Sequence, residues 1–458
     1  MTFGKNAALG SIVLLAGWGI AGQPAQERST AENAETGRKD VARRDDFGLW
    51  LPRNVQAFGW TLNFSGEERA REEWWNNADL NEHVDDRDGR FFLRTRLKAE
   101  ALFQKTFRAV VELVDGREWE SDRHPRPQND ELDLHQAFVQ FGTEPVMLRL
   151  GRQELDFGSR RLVAAPTWNN LLRSFDAARV SYTSKILDIH AFLGSVVVPV
   201  DDHFNRHKDG EILYGLFSTL KPLKGHKLDL YALGFQSRNE DLHVTGEDKA
   251  KGDHDRYTLG TRLYGNITKN WTYDTEAAYQ FGRYAHDRIR AWAFHADTAY
   301  TFDLPWNPTI QPLFNYASGD KNPADGRRNT FDPLFTTTHG MYGGSMDFVT
   351  WMNIKVVGAR FKVNPVKKLT LTLEAHRYWL AEDEDGWYLG TKRATRRDKT
   401  GRSGGSVGHE LGLVAKYTVN KQLDIEGGIA RFFAGRFAER TGPDDNADFA
   451  YLQTLFKF

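Results

Sequence analysis

The chain has 458 residues, 61 Lys and Arg against 62 Asp and Glu, and no cysteine. The balanced charge argues against a nucleic-acid-binding protein, and the missing cysteine excludes disulfides, thiol catalysis and cysteine-ligated metals. A mean hydropathy of -0.58 argues against membrane-spanning helices but leaves a membrane β-barrel open, because only alternate strand residues meet lipid.

The amino-terminal segment has the pattern of a secretory signal. Lys5 precedes an uncharged apolar run over residues 7–20, and small residues surround Ala21 and Gly22. This order predicts a signal peptide at residues 1–22. The alternative is an anchor helix, but the apolar run is short for a membrane span. Residues 23–54 are predicted to form a polar, flexible leader.

From residue 55 onward the chain shows the period of two that indicates β-strands. Leu93 and Leu97 share one face, for example, while Arg94, Arg96 and Lys98 share the other. The pattern predicts about eighteen strands, at residues 55–65, 90–103, 106–115, 132–142, 146–154, 174–183, 186–198, 211–221, 227–237, 256–268, 271–283, 288–303, 309–318, 350–363, 368–380, 409–419, 422–435 and 448–458.

The connections between these strands alternate in length. Every second one is short, such as 104–105 and 184–185, whereas the others are mostly long and polar, such as 66–89, 155–173 and 319–349. Short periplasmic turns and long extracellular loops are typical of outer-membrane barrels. We therefore predict an all-β fold, a transmembrane antiparallel β-barrel over residues 55–458, located in the Gram-negative outer membrane.

The partners predicted from this fold are outer-membrane lipid and the outer-membrane assembly machinery. That machinery recognises a terminal aromatic residue on an alternating strand, the position that Phe458 occupies. We expect a monomer that does not bind nucleic acid.

Charged faces of the strands are predicted to line the lumen. A barrel of about eighteen strands is too wide for side chains to fill, so apolar faces must meet lipid and charged faces water. A soluble barrel with a solvated outer face is the alternative. Alternation directs basic residues inward mainly on early strands, Arg94, Arg96, Lys98, Arg108, Arg149 and Arg179, and acids mainly on later ones, Asp188, Asp229, Asp274, Glu276, Glu374 and Glu426.

A basic arc of this kind has two interpretations. The guanidinium fork matches carboxylates, so the arc could guide a carboxylated sugar, and charge rings set selectivity in pores. Alternatively, lumen ion pairs stiffen the barrel and neutralise one another. The arginine-rich loop at 155–173 could also fold inward and narrow the pore.

Three segments resemble the alginate-export family of outer-membrane porins: GRQELDFGSRRLV (151–163), RSFDAARVSY (173–182) and NYASGDKNPADGRRNTFDPLFTTTHGMYG (315–343). The resemblance extends from about Phe91 to Phe458. It implies an eighteen-stranded monomeric barrel with an arginine-rich conduit for an anionic polysaccharide. The conduit residues it implies are Arg94, Arg96, Arg149, Arg152, Arg173, Arg179 and Arg360, and strand alternation adds Lys98 and Arg108.

The sequence thus predicts a passive channel for an anionic, alginate-like polysaccharide or oligosaccharide, without catalytic residues, cofactor or metal. A passive lumen allows either export or uptake. Periplasmic partners could drive export. The alternatives are a general or small-anion porin, a surface-adhesion barrel and an outer-membrane lipid hydrolase. The sequence shows no nucleophile elbow for a hydrolase, and the acidic run Asp85–Gly89 lacks the bidentate Glu of a calcium loop.

Overall fold

The computed structural model describes residues 51–84, 86–119, 128–200, 203–337, 339–390 and 392–458. The predicted signal peptide and most of the predicted leader lie outside the described residues. The long strands are β1 (Trp60–Asn76), β2 (Asp88–Phe103), β3 (Phe107–Trp119), β4 (Asp130–Phe141), β5 (Val146–Gln153), β6 (Phe175–Thr183), β7 (Leu187–Val198), β8 (Glu211–Leu223), β9 (His226–Ser237), β10 (His254–Asn266), β11 (Trp271–Tyr284), β12 (Asp287–Thr301), β13 (Thr309–Ala317), β14 (Ile354–Val366), β15 (Leu369–Leu380), β16 (Ser406–Thr418), β17 (Leu423–Ala434) and β18 (Ala447–Lys457).

These strands form one closed antiparallel barrel. Each pairs with its neighbours in sequence, and β18 pairs with β1 from Glu67↔Lys457 to Asn76↔Asp448. Closure leaves no free edge, so the barrel wall satisfies its own backbone hydrogen bonds, as a lipid environment requires. The predicted all-β transmembrane barrel is confirmed.

The outer face is apolar and the inner face is polar. Leu97, Leu193, Leu259 and Ile429 point outward and are 45–61% exposed. Charged residues at the alternate positions, such as Arg94, are buried inside the barrel. The outer face is therefore the lipid-facing surface, because an exposed apolar belt of this extent suits hydrocarbon rather than water.

The first strand differs from its prediction. It was expected at 55–65 with a loop at 66–89, but β1 runs from Trp60 to Asn76, and Val55–Ala57 is a separate short strand that folds back onto it. Residues 66–76 carry charges on both faces, so they lack the apolar alternation that marks a strand. The other predicted strands all overlap observed ones.

The remaining regular elements are short. They are a 3-10 helix (Glu240–Leu242), helix α1 (Arg436–Thr441) and the strands Arg206–His207, Val244–Thr245, Lys251–Gly252, Arg327–Arg328, Gly386–Tyr388 and Ala394–Arg397. Within the described residues, no helix has the length and apolar character needed to cross a membrane.

Two loops fill part of the barrel interior. They are residues 154–174, after β5, and 318–353, after β13, and together we call them the plug. The amide of Ala164 donates to the carbonyl of Phe335 at 2.9 Å, and the amide of Phe335 donates to the carbonyl of Leu162 at 2.8 Å. Trp351 and Tyr342 are fully buried in the apolar core, which contains residues from both plug loops and from the wall.

Candidate functional site

Three arginines of the barrel wall hold the first plug loop. From β1, Arg69 donates to the carbonyls of Thr167 at 2.8 Å and Trp168 at 2.7 Å. Arg94, on β2, donates to the carbonyls of Thr167 at 2.9 Å and Asn169 at 2.8 Å. We call Arg69, Arg71 and Arg94 the clamp, because each is buried and each binds backbone oxygens of this loop.

Acids on the same wall partly compensate the positive charge of the clamp. The Nη2 atom of Arg94 lies 2.7 Å from a carboxylate oxygen of Glu67, and the Nε atom of Arg71 lies 2.8 Å from one of Glu73. Arg71 also stacks on Trp168, with its guanidinium carbon 3.8 Å from the ring centroid. A buried guanidinium needs such partners, since an unpaired buried charge is strongly unfavourable.

The same plug loop also reaches the facing wall. Arg161 lies 2.7 Å from Glu276 and 3.4 Å from Asp274, both on β11. Arg262 of β10 binds Asp274 at 2.8 Å. The loop therefore crosses the lumen, and Arg161 and Arg262 bind two acids of the predicted acidic wall, Asp274 and Glu276.

The second plug loop is fixed to β14, β15 and β16. Arg360 donates to the carbonyl of Gly340 at 2.6 Å and binds Glu374 at 2.8 Å. The amide of Met346 donates to Glu410 at 3.0 Å, and the hydroxyl of Tyr378 donates to the other oxygen of Glu410 at 3.0 Å. Arg360, one of the predicted conduit residues, thus positions the plug.

Four more predicted conduit residues are occupied by partners within the protein. Arg96 binds Glu112 at 2.5 Å, Arg108 binds Glu100 at 3.0 Å, and Arg152 binds Asp176 at 2.8 Å. Arg173 donates to plug carbonyls, those of Ala164 at 3.1 Å and Thr336 at 3.0 Å. The ion pairs leave Arg96 and Arg108 with little uncompensated charge in the lumen. Arg152 has the strand parity of Val146 and Leu150, which are 53% and 38% exposed, so its ion pair with Asp176 lies on the outer face rather than in the lumen.

The last three predicted residues are Lys98, Arg149 and Arg179. Among the residues that the structure describes, no carboxylate lies within salt-bridge distance of any of them. Arg149 and Arg179 are direct register partners on β5 and β6, close to the short-turn end of the barrel. We call these three residues the periplasmic arc.

Neutral groups hold the two arginines of the periplasmic arc. Arg149 donates to the amide oxygen of Gln140 at 2.9 Å and lies over the ring of Phe138 at 4.3 Å. Arg179 contacts the hydroxyl of Ser181 at 3.2 Å and a ring nitrogen of His190 at 3.1 Å. The guanidinium groups are thereby oriented while their charge stays available for a mobile anion.

Several charged lumen residues were missed by the sequence reasoning. Arg256 and Lys392 line a cavity of about 290 Å³ together with Asp332. Lys392 lies 2.6 Å from Asp332. Burial acts to raise the pKa of Asp332, but Lys392 and Arg256 together lower it far below its usual range.

The reasons for these omissions differ. Arg256 lies on the same strand face as Arg262, three two-residue periods earlier, so strand parity could have identified it. Arg69 and Arg71 fell in a stretch predicted to be a loop. Arg161 and Lys392 lie in loops, whose path through the lumen leaves no periodic signal in the sequence.

One group of possible metal ligands comes together in the lumen. Asp274, His295 and Asp297 have ligand atoms within 4.8 Å of one another. Asp274 is already bound by Arg262 and Arg161, and His295 bonds to Asn315 at 2.7 Å and Asp297 at 3.0 Å. Two guanidinium groups beside the carboxylate oppose a second cation there.

The comparisons with known proteins agree with this architecture. The sequence profile of the family described as Alginate export matches residues 60–451. No curated protein sequence matches the chain. Among solved structures, the barrel is similar to several from Pseudomonas aeruginosa.

OccK2 (OpdF) has a TM-score of 0.60 at 11% identity, covering 87% of this chain and 97% of that one. OccK8 (OprE) has a TM-score of 0.58 at 13% identity, covering 87% and 98%. OccD3 (OpdP) has a TM-score of 0.57 at 14% identity, covering 90% and 95%. At these identities the similarity shows the fold alone.

Proposed function

We propose that this chain, which belongs to the alginate export family and is an outer-membrane channel rather than an enzyme, conducts a carboxylated saccharide of the alginate type. Passage is passive, and the periplasmic arc is the anion-selective element. Membership of the family supports a carboxylated saccharide as the substrate. The position of the anion-selective element is supported by the partners that the structure gives each lumen arginine.

The observation that carries the proposal is that no acid among the described residues lies within salt-bridge distance of Arg149 or Arg179. Like charges directly opposite each other on paired strands are unfavourable, so the two guanidinium groups gain most when an anion lies between or beside them. A carboxylate accepts two parallel N–H bonds from a guanidinium, and a chain with one carboxylate per sugar offers many such groups in sequence. Lys98 extends the positive surface to β2.

A small-anion porin is the second candidate, and the plug favours it. The first plug loop bridges the lumen from the clamp to Glu276, which narrows the path above the periplasmic arc. A long polysaccharide would need this loop to move, whereas a small anion would pass with the plug in place. Dependence on the length of the saccharide separates the two candidates.

The test is conductance of the purified barrel in planar bilayers. Arg149→Gln with Arg179→Gln should shift ion selectivity toward cations and weaken block by uronate oligosaccharides about tenfold or more, the loss of about one charge-assisted hydrogen bond. Lys185→Gln, in an exposed periplasmic turn outside the lumen, is the matched control. Unchanged selectivity in the double variant would show that the periplasmic arc does not determine ion selectivity. If only short oligosaccharides block the channel, the small-anion porin is favoured.

A further inference from the structure

A cluster of arginines lies on the outside of the barrel, at the extracellular end of the β11–β12 hairpin. Arg283 and Arg288 are direct register partners, and Arg290 is paired with Phe281. All three arginines are exposed. This hairpin has a short connection at the rim where most connections are long, so the cluster is not covered by its own loop.

The cluster belongs to the lipid-facing surface rather than to the lumen. On the same face, Phe281 and Trp292 are 39% and 48% exposed, whereas the alternate residues Gln280 and Ala291 are fully buried inside. Successive side chains of a strand point to opposite faces, so the arginines share the outer face with the aromatic residues.

The aromatic residues set the height of the cluster in the membrane. Trp292 stacks on Tyr316 with ring centroids 4.2 Å apart, and both belong to the outer wall, where aromatic girdles mark the interface of outer-membrane barrels. A strand rises about 3.4 Å per residue, and strands of outer-membrane barrels tilt by about 40°, so Arg290 lies roughly 5 Å and Arg288 roughly 10 Å farther along the membrane normal than Trp292. The arginines therefore lie at the level of the lipid headgroups of the outer leaflet.

The acids near the cluster are engaged elsewhere. Asp255 binds Arg238 at 3.2 Å, Asp248 binds His286 at 2.8 Å, and Asp287 accepts the amide of Glu247 at 2.9 Å. Within the described ranges, no carboxylate lies within salt-bridge distance of Arg283, Arg288 or Arg290. Like charges opposite each other on paired strands are unfavourable unless an anion joins them.

We propose that Arg283, Arg288 and Arg290 bind the phosphate of a lipid in the outer leaflet, with its acyl chains lying against Phe281 and Trp292. Guanidinium groups bind phosphate oxygens in a bidentate manner, and basic clusters at the membrane surface recognise anionic headgroups. The occupant is a phosphorylated lipid, since an aromatic and apolar surface continues directly below the cations. This site is independent of the transport pathway inside the barrel.

The test compares two barrels that have lost the same charge at opposite rims. The first carries Arg283→Gln, Arg288→Gln and Arg290→Gln, and the control carries Lys185→Gln, Lys224→Gln and Lys421→Gln in exposed periplasmic turns. Each full-length barrel is refolded in neutral detergent and titrated with lipopolysaccharide, with an uncharged lipid of similar chain length, and with inorganic phosphate. Bound lipid is measured by native mass spectrometry.

Wild type and the lysine control should each retain lipopolysaccharide, and the arginine variant should bind it about tenfold or more weakly, a loss of at least one charge-assisted hydrogen bond. Unchanged conductance in the arginine variant shows that the barrel is folded. Equal retention by the arginine variant would overturn the proposal. Equal loss in the lysine control, or binding of inorganic phosphate as tight as that of the lipid, would also overturn it.

Discussion

The clamp and the periplasmic arc lie on adjacent parts of the same barrel wall, yet their arginines do different things. Arg69 and Arg94 bind carbonyl oxygens of the plug, and Arg94 also binds Glu67. Within the part of the chain that the structure describes, the polar and aromatic partners of Arg149 and Arg179 are an amide, a hydroxyl, an imidazole and aromatic rings. The difference teaches that an inward arginine does not by itself indicate a conduit, because its partner decides whether its charge is available.

We expect the largest change in conductance when the clamp is removed. Arg69→Leu with Arg94→Leu leaves the carbonyls of Thr167 and Asn169 without donors, and each lost charge-assisted bond costs about 1.5–3 kcal/mol. The first plug loop should detach from β1 and β2, and single-channel conductance should rise several-fold. Proteolysis within residues 160–172 gives a second measurement.

Arg108→Leu is the control for the clamp variant, because Arg108 also lies in the lumen but binds Glu100 instead of the plug. Its conductance should stay close to that of the wild type. Wild-type conductance and protease resistance in the clamp variant would show that the plug is held by other contacts.

Adding one acid beside Arg149 tests the same contrast between paired and unpaired arginines. Gln140→Glu places a carboxylate where the amide oxygen lies 2.9 Å from Arg149, so Arg149 gains the kind of partner that Arg96 and Arg108 have. Anion selectivity should fall nearly as far as when Arg149 is removed, although the arginine is still present. Reversal potentials under a salt gradient measure the anion selectivity. Unchanged selectivity would mean that an ion-pair partner of Arg149 does not affect it.

The facing wall offers a smaller effect. Arg161→Gln leaves Glu276 without its closest cation, while Arg262 still compensates Asp274. Selectivity should shift modestly toward cations, and the additional change Glu276→Gln should return it to the wild-type value. Failure of the second change to restore selectivity would mean that Arg161 acts through the position of the plug rather than through charge.

The smallest predicted effect is a pH dependence of the second plug loop. Burial, together with Glu247 and Asp385, raises the pKa of Asp320 from 3.8 to about 7. Because the folded pKa is raised, protonated Asp320 stabilises the loop fully below pH 3.8, and this contribution is lost as the pH rises to about 7. Amide exchange of residues 318–330 should therefore be slower at about pH 5 than at about pH 8, after correction for intrinsic rates.

Asp320→Asn should remove that pH dependence, whereas Asp325→Asn, in an exposed part of the same loop, should leave it intact. Equal dependence in both variants would assign the effect to another group.

The sequence predicted the wall far better than the interior. Alternation and turn length located the strands because lipid and water impose a period of two on each of them. The same rule failed at residues 66–76, where Glu68 and Glu72 replace apolar residues on the outer face. The partners of the lumen arginines could not be predicted, because they depend on where residues 154–174 and 318–353 lie, and no periodicity records the path of a loop.

The clamp has a consequence for how the channel can diversify. Its hydrogen bonds end mainly on backbone oxygens of Thr167, Trp168 and Asn169, which every amino acid at those positions would supply. The side chains of Thr167 and Asn169 can therefore be exchanged without loosening the anchor. New permeation properties can arise at this constriction by substitution there, while the architecture that positions it stays unaltered.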